Sequence, residues 1–214
     1  VYKRQVLAQS AGGLAWVLVP TAADGVQCDT FPTHDGRGGM NCRFDLVLET
    51  DHILLQGQPA SDALEAYRSL AMTLSSAETL GATQAALDTT VDYTKQRVQF
   101  GQPLASFQAL QHRAADNLAA IELSRSLVYK AAAAIETGTR TPGLASAALS
   151  RCATSALDVC KSAIQMHGGI GFTDEYDIGL YLKRAMTLAT RYGTAGLHRK
   201  RYSEVAMENG SPKD

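Results

Sequence analysis

The spacing of apolar positions along this chain changes once, near Ser61. Before that point the pattern is that of strands. Residues 14–19 form a short apolar run closed by Pro20, and Asp24-Gly25 is a turn signal. Residues 26–31 and 42–48 follow, parted by a glycine-rich loop at 34–39, and 43–48 opens with the polar–apolar alternation of a half-buried strand. This stretch is too short to close a barrel, and it reads as the tail of a β domain that begins elsewhere. The opening Val1-Tyr-Lys-Arg-Gln5 has no methionine and resembles a translated sequencing adapter, which points to a truncated reading frame.

After Ser61 the period is helical. Tyr67, Leu70, Leu74, Ala77 and Gly81 step by three and four along a first long helix, 61–97, and the small residues among them predict close approach of a second helix. Gly101 and Pro103 break that helix, and Ser106 opens the next. Its stripe is Phe107, Leu110, Ala114, Leu118, Ile121 and Val128, and it ends near Gly138. Thr141-Pro142 caps a third helix that runs to His167, where Gly168-Gly169 stops it. Thr173 caps a fourth, with Asp174 and Glu175 in its first turn, and a short fifth covers 195–206. The fold class expected is mainly α: the end of a β domain at 1–58, then an up-and-down helical bundle at 59–214.

Composition narrows the function. Of 214 residues, 45% are apolar and 19% charged, as in ordinary soluble proteins, and the formal charge of −1 argues against nucleic acid or an anionic membrane as the main partner. No apolar run reaches the length of a membrane helix, and no secretory signal opens the chain. Four cysteines show no metal-ligand spacing. Cys152 and Cys160 lie too far apart on one helix to bridge, and Cys28 and Cys42 face each other only if a hairpin joins them. Reduced, mostly buried thiols in a cytoplasmic protein are expected.

The polar residues that remain gather at helix ends. Gly168-Gly-Ile-Gly171 follows a helix where a dinucleotide loop needs a strand, so it is a helix stop. Glu49-x-x-His52 is the one Glu-x-x-His and sits outside the helices, so no metal is expected. His198, Arg199, Lys200 and Arg201 read as a solvated basic face. The corner at 97–111 is different: Arg97 can pair a pyrophosphate, and Gln108, Gln111 and Gln165 offer donors and acceptors to nucleotide edges. Gly168-Gly169 admits close backbone approach, and Thr194 stands at a helix start where free N–H groups favour anions. Together they suggest a nucleotide cofactor gripped by helix ends.

Three motifs resemble one family. Tyr93-x3-Arg97-x-Gln-Phe-Gly-Gln-Pro-Leu-x-Ser-Phe-Gln-x-Leu-Gln-His112 is similar to the helix-turn-helix signature of the flavin-dependent acyl-CoA dehydrogenases. Ala163-Ile-Gln-Met-His-Gly-Gly-Ile-Gly-Phe-Thr-Asp-Glu-Tyr176 and Tyr181-Leu-x-Arg184-x6-Arg191-Tyr-Gly-Thr194 are similar to its later blocks, and Asp35-Gly-Arg-Gly-Gly39 fits the end of its middle β domain. The resemblance implies α,β-desaturation of an acyl-CoA thioester, with electrons passed to an electron-transfer flavoprotein. It implies FAD bound across the interface of a homo- or hetero-oligomer, dimer or tetramer. By position Arg97, Phe100, Gln108, Gln165, Met166, His167, Gly168, Gly169, Thr194, Ala195 and Gly196 carry over to FAD.

The departures fall on the chemistry. The family's catalytic glutamate precedes the Gly-Thr pair, a place held here by Tyr192, and the alternative position on the first long helix holds Ala71. The family's substrate-contacting Asp and Arg on that helix are Ser69 and Met72, while Gly81 and Leu87 stay in register. Abstracting an acyl α-proton ordinarily needs a carboxylate, and a phenol is a poor base at neutral pH. The expectation is a non-catalytic partner in a heteromer, of a kind associated with fatty acid or sterol catabolism. A base relocated to Glu78, or a flavin-free scaffold, are the alternatives.

Overall fold

A computed structural model describes residues 3–138 and 143–210, without the side chains of 208–210. The expected Thr141-Pro142 cap lies outside the described residues. Two units divide the chain, Val1–Arg68 and Ser69–Asp214.

In the first unit, strand β2 (Gly13–Pro20) is the centre of an antiparallel three-stranded sheet, flanked by β1 (Lys3–Ser10) and β5 (Ile53–Gln56). Ala15 and Val19 point into its small core, and the Trp16 indole donates to the carbonyl of Ala60 at 3.1 Å. Neither flanking strand was visible in the apolar pattern. β1 is half polar, and its Lys3, Arg4 and Gln5 pair with Pro20, Val19 and Leu18. The expected turn is present at Gly25, with φ +89°; a Cβ there would lie 1.9 Å from the carbonyl oxygen of Asp45. That turn leads into β3 (Val26–Pro32), which pairs with β4 (Gly38–Phe44) as a separate hairpin. The second hairpin strand therefore starts and ends about four residues earlier than expected.

The helices are α1 (Gln58–Gln96), α2 (Gln108–Glu136), α3 (Leu144–His167), α4 (Ile178–Leu188) and α5 (Ala195–Gly210). The first four alternate in direction, the up-and-down bundle expected. α2 runs against α3, with the amide of Asn117 donating to Ser162 at 2.9 Å and the hydroxyl of Ser124 to Ser155 at 3.1 Å. α3 is the centre of the unit: Ala156, Cys160 and Ala163 meet Ala86, Ile178 and Ala185, while Cys152 and Val159 meet Leu80, Leu87, Ile121 and Val128.

Three readings of the pattern are corrected. The stripe Tyr67, Leu70, Leu74, Ala77 and Gly81 faces outward, and a Cβ on Gly81 would meet nothing within 4 Å. The buried face of α1 is instead Met72, Ser76, Thr79, Leu80, Thr83, Ala86, Leu87 and Thr90. Its hydroxyls donate to the carbonyl four residues back, as in Thr79 to Ser75, Thr83 to Thr79 and Thr90 to Ala86, each at 2.7 Å. A hydroxyl paired inside its own helix presents mostly its methyl or methylene to the core, so a polar-looking face is buried at little cost. Thr173 does not cap α4: its hydroxyl turns back to Ile170 at 2.8 Å, closing a 3-10 turn at Gly168–Phe172, and α4 begins at Ile178. Finally, Cys152 and Cys160 are buried as expected, but Cys28 is exposed and Cys42 half-buried.

Candidate functional site

The corner between α1 and α2 is a miniature hairpin. Val98–Gln99 pairs with Gln102–Pro103 through the two residues Phe100 and Gly101, whose φ values are 54° and 82°. Two successive positive φ angles give the tight turn that matches strand twist. Glycine takes that conformation freely, whereas Phe100 holds it at a cost of about 1 kcal/mol and is 89% exposed. Its ring stands edge-on to Phe107 with centroids 6.2 Å apart. The Leu104 N–H donates to the Arg97 carbonyl at 2.8 Å, and the Gln111 amide donates to the Ala105 carbonyl at 2.8 Å. Gln111 thus braces the corner, while Arg97 and Gln108 remain exposed at its surface.

The end of α3 is fastened beside this corner. Tyr93, one turn before Arg97, stacks on His167 with centroids 4.4 Å apart, and its hydroxyl donates to the His167 carbonyl at 3.2 Å. Tyr176 closes the third side, 5.0 Å from His167. Gln165 is exposed, but Met166 and His167 are buried, so neither side chain is offered to a ligand at the surface. His167 Nδ1 lies 2.8 Å from the Ala163 carbonyl, and its Nε2 is buried without a partner among the described residues. Burial pulls its pKa below the ordinary histidine value, against the bond to Ala163. Gly168 has φ +66°, and a Cβ on Gly168 or Gly169 would meet nothing within 4 Å, so open space lies before this backbone.

The third group is elsewhere. Thr194 accepts the Leu197 N–H at 3.3 Å, and Ser150 donates to the Ala195 carbonyl at 3.0 Å. Ser150 stands 17 residues before His167 on α3. At 1.5 Å per residue, that places Thr194, Ala195 and Gly196 about 25 Å from the Arg97 corner. The sequence reading grouped all three stretches around one ligand; the structure brings two together and sets the third at the opposite end of α3. Sequence spacing gave no measure of that distance, because the segments are joined only through the bundle.

Near this far end lie the positions that depart from the expected chemistry. The Tyr192 side chain packs on Met72, Ala145 and Leu149, a continuous apolar cluster. His198 holds the segment in place: Nε2 lies 3.0 Å from the Tyr192 carbonyl and Nδ1 3.2 Å from the Ser146 hydroxyl. With a carbonyl as acceptor, Nε2 carries the proton and Nδ1 receives the serine O–H, so the neutral ring satisfies both bonds. Burial lowers its pKa, the bond to Tyr192 opposes this, and Arg201 lowers it further. The solvated-face reading of 198–201 therefore fails at its first residue, which is 2% exposed. A histidine at the head of a run of arginines and lysines was the available signal. Ala71 and Ser69 are half-buried. Glu78 is held by Arg184 of α4, which donates through Nε at 3.0 Å and again through Nη2.

Among the described residues no cluster of histidine, cysteine and carboxylate side chains has metal-binding geometry, and no helix is long and apolar enough to cross a membrane. Comparison with known proteins adds the context of these residues. The family model for the acyl-CoA dehydrogenase C-terminal domain matches residues 70–207. Acyl-CoA dehydrogenase IpdE2 of Mycolicibacterium smegmatis is 48% identical over 114 residues, which are 52% of this chain and 34% of that protein. Butyryl-CoA dehydrogenase from Megasphaera elsdenii superposes with a TM-score of 0.88 at 25% identity, covering 97% of this chain and 56% of that one. A variant of the Tcur3481–Tcur3483 steroid ACAD superposes at 0.86 with 27% identity, covering 98% and 56%. The chain thus spans about a third of the curated relative in matched sequence, and little more than half of each solved chain.

Proposed function

Because the chain belongs to the acyl-CoA dehydrogenase family, we propose that it is the C-terminal part of a flavin-binding but non-catalytic subunit, working beside a homologous subunit that supplies the base. The observation that carries this reading is the packing of Tyr192 against the apolar cluster of Met72, Ala145 and Leu149. Tyr192 and Met72 stand at the places of the family's glutamate and substrate-contacting arginine, and here both belong to one apolar cluster. An acyl thioester at that point would find a phenol where the carboxylate base should be, with the Arg191 guanidinium 5.5 Å from the Tyr192 ring centroid. The bond from His198 to the Tyr192 carbonyl pins the segment, so a carboxylate from elsewhere in this bundle is not drawn in by a loop shift.

The opposite end retains what a flavin's ADP half would need. FAD fits the residues present: Arg97 and Gln108 are exposed, the backbone at Gly168 and Gly169 faces open space, and Phe100 is held strained and outward. A strained, exposed aromatic is retained where it meets a ligand or partner. The chemistry FAD supplies when bound is acceptance of the hydride from the acyl β-carbon, with the electrons then leaving to an electron-transfer flavoprotein. This chain's part would be to hold the nucleotide: Arg97 would pair the pyrophosphate, and Gln108 and Gln165 would offer donors and acceptors to the ribose and adenine edges. The group at 194–196, at the other end of α3, would serve a second cofactor site. A two-component assembly is also suggested by the relative named Tcur3481–Tcur3483 steroid ACAD, which makes a bulky, sterol-derived acyl-CoA the substrate class we favour.

The test is co-expression. The full-length protein alone is expected to dehydrogenate no acyl-CoA, and an adjacent homologue carrying glutamate at the Tyr192 position is expected to restore turnover. Robust turnover by the homomer would overturn the proposal. The relocated base is disfavoured by the ion pair between Arg184 and Glu78, which occupies that carboxylate. Flavin absorbance in the purified complex separates this reading from a flavin-free scaffold.

A further inference from the structure

Outside the bundle, one pair of reactive side chains has no part in the function above. Cys28 on β3 and Cys42 on β4 are directly opposed in the antiparallel hairpin, with their sulfurs 3.1 Å apart. Directly opposed residues in such a pair have Cα atoms about 4.5 or 5.5 Å apart, both within the span a disulfide bridges, so a bond needs no backbone movement. Cys28 is exposed and open to a reagent, and Cys42 is half-buried behind it. The hairpin pairs with no other strand among the described residues. A two-stranded ribbon of this kind is marginal by itself, and a cross-link between its strands is the restraint it lacks.

The other two cysteines supply a contrast within the same molecule. Cys152 and Cys160 are buried in α3, and burial pushes both thiols up to about 12. They are eight residues apart on one helix and face the core. Reactivity toward a disulfide reagent needs thiolate and access; the bond to Cys42 also raises the Cys28 thiol, but Cys28 has the access that these two lack.

We infer that Cys28 and Cys42 form a reversible dithiol–disulfide site, closed by exchange with a low-molecular-weight disulfide of the glutathione type. The Cys28 thiolate attacks one sulfur of the reagent, forming a mixed disulfide and releasing one reagent thiol. The Cys42 thiolate then attacks the Cys28 sulfur and displaces the second reagent thiol. Two protein thiols are oxidised by two electrons, one reagent disulfide is reduced to two thiols, and their protons pass to the departing thiolates through solvent. Cys28 takes the adduct because it is exposed, and Cys42 resolves it because it lies within contact distance.

The test is intact-mass analysis of the chain after incubation with oxidised glutathione, followed by alkylation under denaturing conditions and peptide mapping. The expected product has lost the mass of two hydrogens, carries the peptides of Cys28 and Cys42 as one cross-linked species, and has two alkylated cysteines, Cys152 and Cys160. Cys42→Ser is expected to stop at a stable glutathione adduct on Cys28, and dithiothreitol to restore both thiols. A wild-type protein that keeps four alkylatable thiols, accumulates the mixed disulfide without closing it, or joins any other pair would overturn the inference. Because the wild type itself gives these outcomes, misfolding of the variant does not shield it.

Discussion

Tyr192 sits at the boundary between two kinds of evidence. Its identity is legible as a departure from a family pattern, but nothing in the sequence says that its ring rests on the cluster of Met72, Ala145 and Leu149 or that its carbonyl is held by His198. The ring meets residues more than forty positions away, and His198 is itself anchored to Ser146, 52 positions back; the basic run beginning at His198 disguised a buried tether as a surface patch. The tether has a measurable pH signature. His167 and His198 both have pKa values lowered in the fold, chiefly by burial. Below the ordinary histidine value of about 6.5 the unfolded chain therefore binds more protons than the folded one. Stability should be at its plateau above that pH and fall as acid passes from it down through the depressed folded values. Thermal melts from pH 8 to pH 5 check this, and His198→Gln, which keeps a hydrogen bond but does not titrate, should flatten part of the slope. Phe100 offers a second test at this scale. Phe100→Gly relieves the left-handed strain but loosens the unfolded chain, so stability should move by no more than about 0.5 kcal/mol. Flavin retention in the full-length complex should nevertheless fall, as follows if the ring is kept for a ligand.

At the scale of elements, α1 decides how far sequence reading goes. Its length and its end at the 97–111 corner are legible from period and from Gly101 and Pro103, yet its buried face was assigned to the wrong side. Hydropathy ranks threonine and serine as polar because it scores the hydroxyl in water. Inside α1 the hydroxyl is already paired to Ser75, Thr79 or Ala86, so what reaches the core is a methyl. The apolar residues Tyr67, Leu70 and Leu74 are then left outside. Two substitutions of identical chemistry separate the faces. Leu149→Ala removes a side chain 2% exposed and should cost about 3 kcal/mol, whereas Leu74→Ala, at 60% exposed, should stay within about 0.5 kcal/mol. Chemical denaturation of the two variants measures both. If Leu74 proved as costly as Leu149, the outward assignment of that stripe would be wrong. β1 was missed for a related reason: Lys3, Arg4 and Gln5 line an edge strand, where one face is free to be polar.

For the molecule as a whole, the proposed division of labour is set by α3, whose opposite ends carry the exposed Arg97 corner and the apolar cluster at Tyr192. The two ends are about 25 Å apart, so changes at one should leave the other undisturbed. Arg97→Ala is expected to weaken flavin retention of the full-length complex several-fold with no change in its melting once flavin is removed. The buried face of α1 has a consequence of a different sort, for heat capacity. Exposing large aliphatic surface raises the heat capacity of a chain, and exposing hydroxyls and peptide groups lowers it. Much of what unit Ser69–Asp214 buries is alanine, serine and threonine. Its unfolding should therefore show a heat-capacity increment per residue below the usual value of about 12–15 cal/mol/K. Scanning calorimetry would find its stability changing little with temperature across the range in which an aliphatic-cored bundle of the same length rises to a sharp maximum.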